Sequence, residues 1–280
     1  MRTHTLVSWL LASIAVLPCS PTRDAGAADT SPAVKKAYVL GVFPHLPPRD
    51  LENVYAPMAS DLGAQIGRHV VLQSNTTYER FTENLEKQEF DIAFVQPFEY
   101  VRIADKYGYR PLATRQEKLA AIVVVKPDSP LAVLADLKGK NVALPPESAA
   151  VSYLFLALLR ANGMNPDKDV KRSHHRSHVS CMQKVIIGEA DACVTAASAL
   201  RVFQEQMHSE LVIIARSREI PHTLFVVHPR VPKKDREALR ARILGWDKTD
   251  DGKAMLARGQ LTPFVSIGDS DYNIVRELSR

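Results

Sequence analysis

The chain alternates strand-like and helix-like segments over most of its length. The β-branched and aromatic stretch "KKAYVLGVFP" is followed by "PPRDLENVYAPMASDLGAQIG", in which apolar residues recur at helical spacing up to a closing glycine. Two further strand–helix pairs follow: "HVVLQSN" with "TYERFTENLEKQE", and "FDIAFVQP" with "FEYVRIADKYG". Such an alternation predicts a parallel sheet covered by helices.

The same construction is repeated in a second block, which begins near residue 126. It contains "LADLKGKNVALPP", "ESAAVSYLFLALLRANG" and "HVSCMQKVIIGEADACVTA", and strand-like segments at about 120–126 and 212–226 can cross between the blocks. We therefore predict an α/β fold of two lobes, each a mostly parallel sheet flanked by helices. The first lobe takes residues 37–125 and 220–280, and the second takes residues 126–219.

Three predicted strands end in polar or proline-rich turns, "GVFPHLP", "AFVQPF" and "ALPPES". Ligands of open α/β sheets bind beyond the carboxyl ends of the strands. A binding cleft between the two lobes is the expected functional feature.

The first residues have the pattern of an export signal. One arginine precedes an apolar run of about fourteen residues, which is too short to span a bilayer. We assign residues 1–27 to a signal peptide cleaved after Ala25-Gly26-Ala27 and residues 28–36 to a linker, and expect the protein in the periplasm. Cys19 leaves a lipid anchor as the alternative, but Pro18 stands where a lipid-attachment site has a small residue.

Composition and motifs exclude several classes of function. The formal charge of +5 comes from scattered Lys and Arg without a basic stripe, so we expect no nucleic-acid partner. No phosphate-binding glycine loop, dinucleotide fingerprint, zinc-protease motif or nucleophile elbow is present in the sequence. We expect neither an enzyme nor a cofactor.

Two cysteines, Cys181 and Cys193, remain after the proposed cleavage. In an oxidising compartment they can form a disulfide, and two buried free thiols are the alternative. Cys181 also lies close to His174, His175 and His178, and a metal-binding protein or enzyme built on these four residues is a rival hypothesis of another class. We expect no metal, because their number and spacing match no closed site.

Ser148 precedes the apolar helix of the second block and raises a question of its own. A serine there can cap the helix by accepting from its first N–H groups. The same N–H groups and the positive end of the helix dipole also suit an anion. The local sequence does not choose between the two.

An ordered series of segments resembles a known family. The segment "GEADACVTA", with His178 thirteen residues before Asp191, is joined by "GVFPHLPPRDLENVYAPMASDL", "TYERFTENL", "FDIAFVQPFEYV" and "VVVKPDSPLAVLADLKGKNVAL". Over residues 37 to about 245 the chain resembles the phosphate/phosphite/phosphonate-type periplasmic substrate-binding proteins of ABC transporters. The resemblance implies a two-lobed fold that closes over an anion by hinge motion.

The resemblance also implies a set of ligand-binding positions. The hydroxyl cluster at the family's helix start falls on Ser148, Ala149 and Ala150, and the family's histidine falls on His178. The remaining positions are Tyr78 in the cleft, the strand-end turn with Gln96 and Pro97, and Thr223, which together with Ser198 stands where aminoalkylphosphonate binders carry acids.

Departures from the family pattern mean that the sequence does not decide which anion the protein binds. Ala149 and Ala150 lack hydroxyl groups, and Gln96 stands where a glycine is usual, so its amide either contacts the ligand or fills space. The expected ligand is a small oxyanion: phosphonate, phosphite, phosphate or an arsenite-like anion. The expected partner is the membrane permease of an ABC transporter, with the ectodomain of a sensor histidine kinase as the alternative.

Overall fold

The computed structural model describes residues 36–279. The predicted signal peptide, Cys19 and nearly all of the linker lie outside these residues. The helices in the described part are α1 (Pro48–Ile66), α2 (Tyr78–Glu86), α3 (Pro97–Tyr107), α4 (Ala150–Ala161), α5 (His178–Ile186), α6 (Ala197–Met207), α7 (Lys233–Leu244), α8 (Asp250–Arg258) and α9 (Asn273–Leu278).

The strands of the described part form two large sheets and one small ribbon. They are β1 (Tyr38–Val42), β2 (Val70–Gln73), β3 (Ile92–Val95), β4 (Arg110–Arg115), β5 (Lys118–Leu119), β6 (Ile122–Val125), β7 (Asn141–Leu144), β8 (Lys171–His174), β9 (Ala192–Thr195), β10 (Val212–Arg216), β11 (Ile220–Pro221), β12 (Leu224–Val227) and β13 (Phe264–Val265).

The first sheet has the order β13-β4-β12-β3-β1-β2, and the second has the order β10-β6-β9-β7-β8. In each sheet three neighbouring strands are parallel, β3-β1-β2 and β9-β7-β8, and the remaining pairings are antiparallel. The sheets are therefore mixed, because the strands that return from the other half of the chain enter in the opposite direction. β5 and β11 pair with each other as a separate antiparallel ribbon.

The strands at the centre of each sheet are continuous apolar runs. All residues of β3, β6 and β12 are buried, as expected for strands covered on both faces. β6 pairs with β9 and β10 in the second sheet, although the sequence-based division gives residues 122–125 to the first lobe. The exact lobe limits stay a prediction.

A disulfide joins helix α5 to the second sheet. Cys181 on α5 and Cys193 on β9 are bonded, with their Cα atoms 5.8 Å apart, and both side chains are fully buried. They lie in an apolar cluster with Met182, Val185 and Phe203. The bond fixes the start of α5, and with it His178, against the end of β9.

Candidate functional site

The N-terminus of α4 faces the first sheet's strand β3 across the molecule. The N-cap residue is Ala149, one position after Ser148, and it provides no side-chain cap. Ser148 is therefore not the capping residue, and of the two roles that its sequence position allowed, the cap is wrong. The first turn of α4 thus keeps N–H groups that no capping side chain of its own satisfies.

Gln96 fills the space in front of this helix. It is the N-cap of α3, directly after β3, and its Oε1 accepts from the Ala150 N–H at 2.7 Å. Its Nε2 donates to the Ser148 carbonyl at 3.3 Å and to the Tyr78 hydroxyl. The Gln96 amide therefore accepts from the Ala150 N–H, the donor that an anion at α4 would use. Its hydrogen bonds also connect the end of β3 in the first sheet to the start of α4, which packs on the second sheet.

Tyr78 continues this group towards a buried carboxylate. Its hydroxyl donates to Glu99 Oε2 at 3.3 Å, and Thr82 donates to Glu99 Oε1 at 2.9 Å. Arg102 lies 3.4 Å from the same Oε1. Burial raises the pKa of Glu99 despite these partners. Sequence reasoning missed Glu99, because nothing in the polar face of α3 distinguishes it from solvent-exposed acids.

His178 is the first residue of α5 and lies against the end of β9. Its Nδ1 is 2.9 Å from the Thr195 hydroxyl, and Ser177 caps the helix. Burial lowers the pKa of His178 to about 4, so the ring is neutral at pH 7. The Thr195 hydroxyl can donate to Nδ1, and the neutral tautomer that this bond selects has an Nε2–H available to an anion.

Aromatic rings line the first-sheet side between Tyr78 and the crossing strands. The Phe43 ring lies 6.2 Å from the Tyr78 ring and 4.4 Å from the His45 ring, centroid to centroid. The Tyr55 hydroxyl is 3.3 Å from His45 Nε2. The His45 side chain is exposed to solvent at the edge of these rings, as expected for the wall of a cleft.

A cavity of about 810 Å³ borders the Gln96 group. Its lining includes Tyr78, Gln96 and Ser148 together with Phe98 and Tyr153. Phe98 on α3 stacks on Tyr153 on α4, with ring centroids 4.8 Å apart. This stack, like the Gln96 bridge, joins a helix of the first sheet to a helix of the second.

Comparison with known proteins places this geometry in a family. A family model described as "ABC transporter, phosphonate, periplasmic substrate-binding protein" matches residues 40–272. The chain belongs to this family. Family members are substrate-binding transport proteins, so the protein is not an enzyme. No curated protein matches the sequence significantly.

Solved structures of family-like proteins share the fold. PhnD1 from Prochlorococcus marinus, in complex with methylphosphonate, is 16% identical with a TM-score of 0.75, covering 88% of this chain and 97% of its own. A binding protein component of an ABC phosphonate transporter from Pseudomonas aeruginosa is 17% identical with a TM-score of 0.72, covering 87% and 85%. The aliphatic sulphonate binding protein SsuA from Escherichia coli is 14% identical with a TM-score of 0.61, covering 86% and 92%. These likenesses establish the two-lobed α/β fold.

Within residues 36–279, no helix combines the length and the apolar character that crossing a membrane requires. The family is described as periplasmic, which agrees with the location expected from the sequence.

The predicted binding residues of this family member fall into two groups. Hydrogen bonds join Tyr78, Gln96, Ser148 and Ala150, and Pro97 is the buried first residue of α3 beside them. The other two predicted residues, His178 and Thr223, do not hydrogen-bond to this group. His178 bonds Thr195, and the Thr223 hydroxyl bonds His222 Nδ1 at 3.0 Å. Their role at the ligand stays a prediction, as does that of Ala149.

The rival metal site does not form. Cys181 is bonded to Cys193, which removes the thiolate ligand, and His174 Nδ1 lies 2.9 Å from the Pro145 carbonyl. His175 Nε2 lies 3.1 Å from the Ser173 hydroxyl. In the part of the chain that the structure describes, no cluster of three or more His, Cys, Asp or Glu side chains is arranged to hold a metal ion.

Buried histidines predict an acid-sensitive fold. Burial lowers the pKa of His178 to about 4 and that of His222 well below its ordinary value of 6.5. The unfolded chain then binds more protons than the native chain below pH 6.5, so the free energy of unfolding falls as the pH drops from about 6.5 towards 4. Urea denaturation at several pH values measures this. His222→Gln should flatten the dependence, whereas the same change at the exposed His69 should not; equal slopes for both variants would contradict the assignment.

Proposed function

We propose that this protein captures a small phosphonate in the periplasm and delivers it to the permease of an ABC transporter. Family membership supports the transporter as partner rather than a sensor kinase. The observation that carries the ligand assignment is the α4 N-terminus, which presents the Ala150 N–H beside the Tyr78 hydroxyl between elements of both sheets.

The neighbouring structures support an oxyanion with a tetrahedral head. PhnD1 is described with methylphosphonate, a Xanthomonas citri protein of 16% identity is described with ATP, and SsuA binds aliphatic sulphonates. A helix N-terminus stabilises such heads because its dipole and N–H groups act together.

The binding geometry follows from the same residues. The anion replaces the Gln96 amide at the Ala150 N–H, and Tyr78 donates to it instead of to Glu99. Neutral His178 donates from Nε2. Because Ala149 and Ala150 contribute no hydroxyl groups, binding depends on backbone N–H groups. Closure follows from the ligand's greater affinity for the closed arrangement.

Removing one backbone donor tests the site. Ala150 is the first residue of α4, where proline is tolerated, and the residue before it has φ −69° and ψ 134°, which a following proline allows. Ala150→Pro deletes the N–H without interrupting the helix. A hydrogen bond to a charged group contributes about 1.5–3 kcal/mol, so we expect methylphosphonate affinity to fall by about tenfold or more.

Calorimetric titration and thermal shift with methylphosphonate, phosphite, phosphate, arsenite and sulfate provide the readout. A ligand at 100 times its dissociation constant should stabilise the wild type by about 2.7 kcal/mol. Lys233→Pro, which places proline at the equivalent position of the distant helix α7, is the matched control and should bind normally. Absence of any oxyanion response, or unchanged binding by a folded Ala150→Pro variant, contradicts the proposal.

A further inference from the structure

A second cavity lies at the crossing strands, away from the Gln96 group. Its volume is about 370 Å³, which suits a small organic group. Its walls come from β4–β5, the β9–α6 junction, β10, the β11–β12 turn and the segment before β13. It is therefore bounded by elements of both large sheets.

The charge of this cavity is strongly one-sided. Four cationic side chains line it and one carboxylate opposes them: Arg115, Lys118, Arg201 and Arg216 against Glu117. Glu117 forms an ion pair with Arg115 and lies 3.7 Å from the neutral His222 ring, but neither of its carboxylate oxygens accepts a hydrogen bond from the described residues. Among the described residues, Lys118, Arg201 and Arg216 have no carboxylate partner, so the cavity carries an uncompensated positive charge.

Arg115 is the least exposed of the four cations, and the other three are exposed to solvent. Its side chain is 13% exposed, and its Nε has no hydrogen-bond acceptor among the described residues. The Thr262 hydroxyl, also lining the cavity, is likewise buried without a partner there. Arg115 Nε and the Thr262 hydroxyl can each donate to a ligand acceptor, and the three exposed cations outweigh the single carboxylate of Glu117 in the charge of the cavity.

The cavity and the α4 site have no lining residue in common, but residues of both sheets lead from one towards the other. On the second sheet, Thr195 binds His178, and the next residue, Ala196, lines the cavity. On the first sheet, the rings of Tyr78, Phe43 and His45 follow one another, and desolvation by the surrounding protein together with the charge of Arg115 lowers the pKa of His45 and of His222.

We propose that this arginine-lined cavity binds a carboxylate or other acidic group at the far end of the same ligand whose oxyanion head lies at α4. The ligand is then a phosphonate with an anionic tail, rather than a simple alkylphosphonate or an aminoalkylphosphonate. This inference rests on the proposed function. Ser198 also lines the cavity, and with Thr223 it leaves no acid at these two positions to hold an amine.

Three probes with the same three-carbon chain test the tail. They are 3-phosphonopropionate, propylphosphonate and 3-aminopropylphosphonate, each titrated calorimetrically against the full mature protein. We expect affinity to decrease in that order, with the carboxylated probe binding at least tenfold more tightly than the alkyl one. Paired, charge-assisted hydrogen bonds from arginine justify this difference.

The double variant Arg201→Gln/Arg216→Gln distinguishes binding of the acidic tail from binding of the phosphonate head. It should weaken 3-phosphonopropionate binding at least tenfold and leave propylphosphonate binding unchanged. Arg218→Gln removes an exposed charge from the segment after β10 that does not line the cavity, and it should change neither affinity.

The outcomes distinguish the two proposals. Equal affinity for the three probes, preference for the amine, or no selective effect of the double variant overturns the anionic tail and leaves the proposed function in place. Failure of the wild type to bind any of the three phosphonates overturns the proposed function and the two-ended ligand with it.

Discussion

Replacing Gln96 by alanine is expected to raise the affinity for methylphosphonate about tenfold. In the native chain the Gln96 amide holds the Ala150 N–H and reaches the Ser148 carbonyl and the Tyr78 hydroxyl. A ligand at α4 has to break these bonds, each of which contributes about 0.5–1.5 kcal/mol net. Alanine removes the competing amide and leaves the Ala150 N–H free. Calorimetric titration of wild type and variant measures the change directly.

Gln96→Glu is the matched opposite of this variant. It keeps the size of the side chain and places a permanent carboxylate at the helix N-terminus, where the dipole stabilises it. We expect it to abolish detectable oxyanion binding while the protein remains folded. If Gln96→Ala instead weakens binding, the amide contacts the ligand through Nε2 and does not compete with it.

Loss of the Cys181–Cys193 disulfide is expected to cost about 3 kcal/mol of folding free energy, because it closes a loop of 12 residues in the unfolded chain. For a chain of this size that corresponds to a fall in Tm of roughly 6–12 °C. Thermal denaturation with and without a thiol reductant measures the effect, and a Cys181→Ala/Cys193→Ala variant should show a similar loss.

The double variant is also the control for the reductant. Its Tm should not change further when reductant is added, since no other pair of cysteines is bonded among the described residues. The fully buried position of both sulfurs implies slow reduction of the native protein. An unchanged Tm in wild type after complete reduction, checked by thiol titration, would contradict a stabilising role for the bond.

Periodicity and strand ends account for much of this fold. The apolar run of β3 and the amphipathic α1 are local signals, and both elements form where the sequence predicts them, whereas the predicted segment at 212–226 divides into β10, β11 and the start of β12. The family resemblance is confirmed by the match over residues 40–272. The sequence predicts mostly parallel sheets and does not predict the antiparallel pairings, because the direction of a strand depends on the lobe that it enters and not on its own residues.

The residues of the candidate site come together through contacts between distant parts of the sequence, and local sequence patterns do not predict such contacts. Gln96 and Ala150 are 54 positions apart in the sequence, and their contact exists only because α3 and α4 approach each other. The arginine-lined cavity collects side chains from several separate segments, none of which is basic enough to stand out. Ser148 shows the converse, since the residue whose side chain could cap the helix lies one position before the N-cap, Ala149.

The stack of Phe98 on Tyr153 affects how a permease could distinguish ligand-bound from ligand-free protein. It joins α3 to α4 through groups that belong to the chain itself, so this contact between the two halves needs no bound ligand. We therefore expect ligand-free protein to sample the arrangement in which α3 and α4 touch. Only the difference in its population with and without ligand can then report occupancy to a permease.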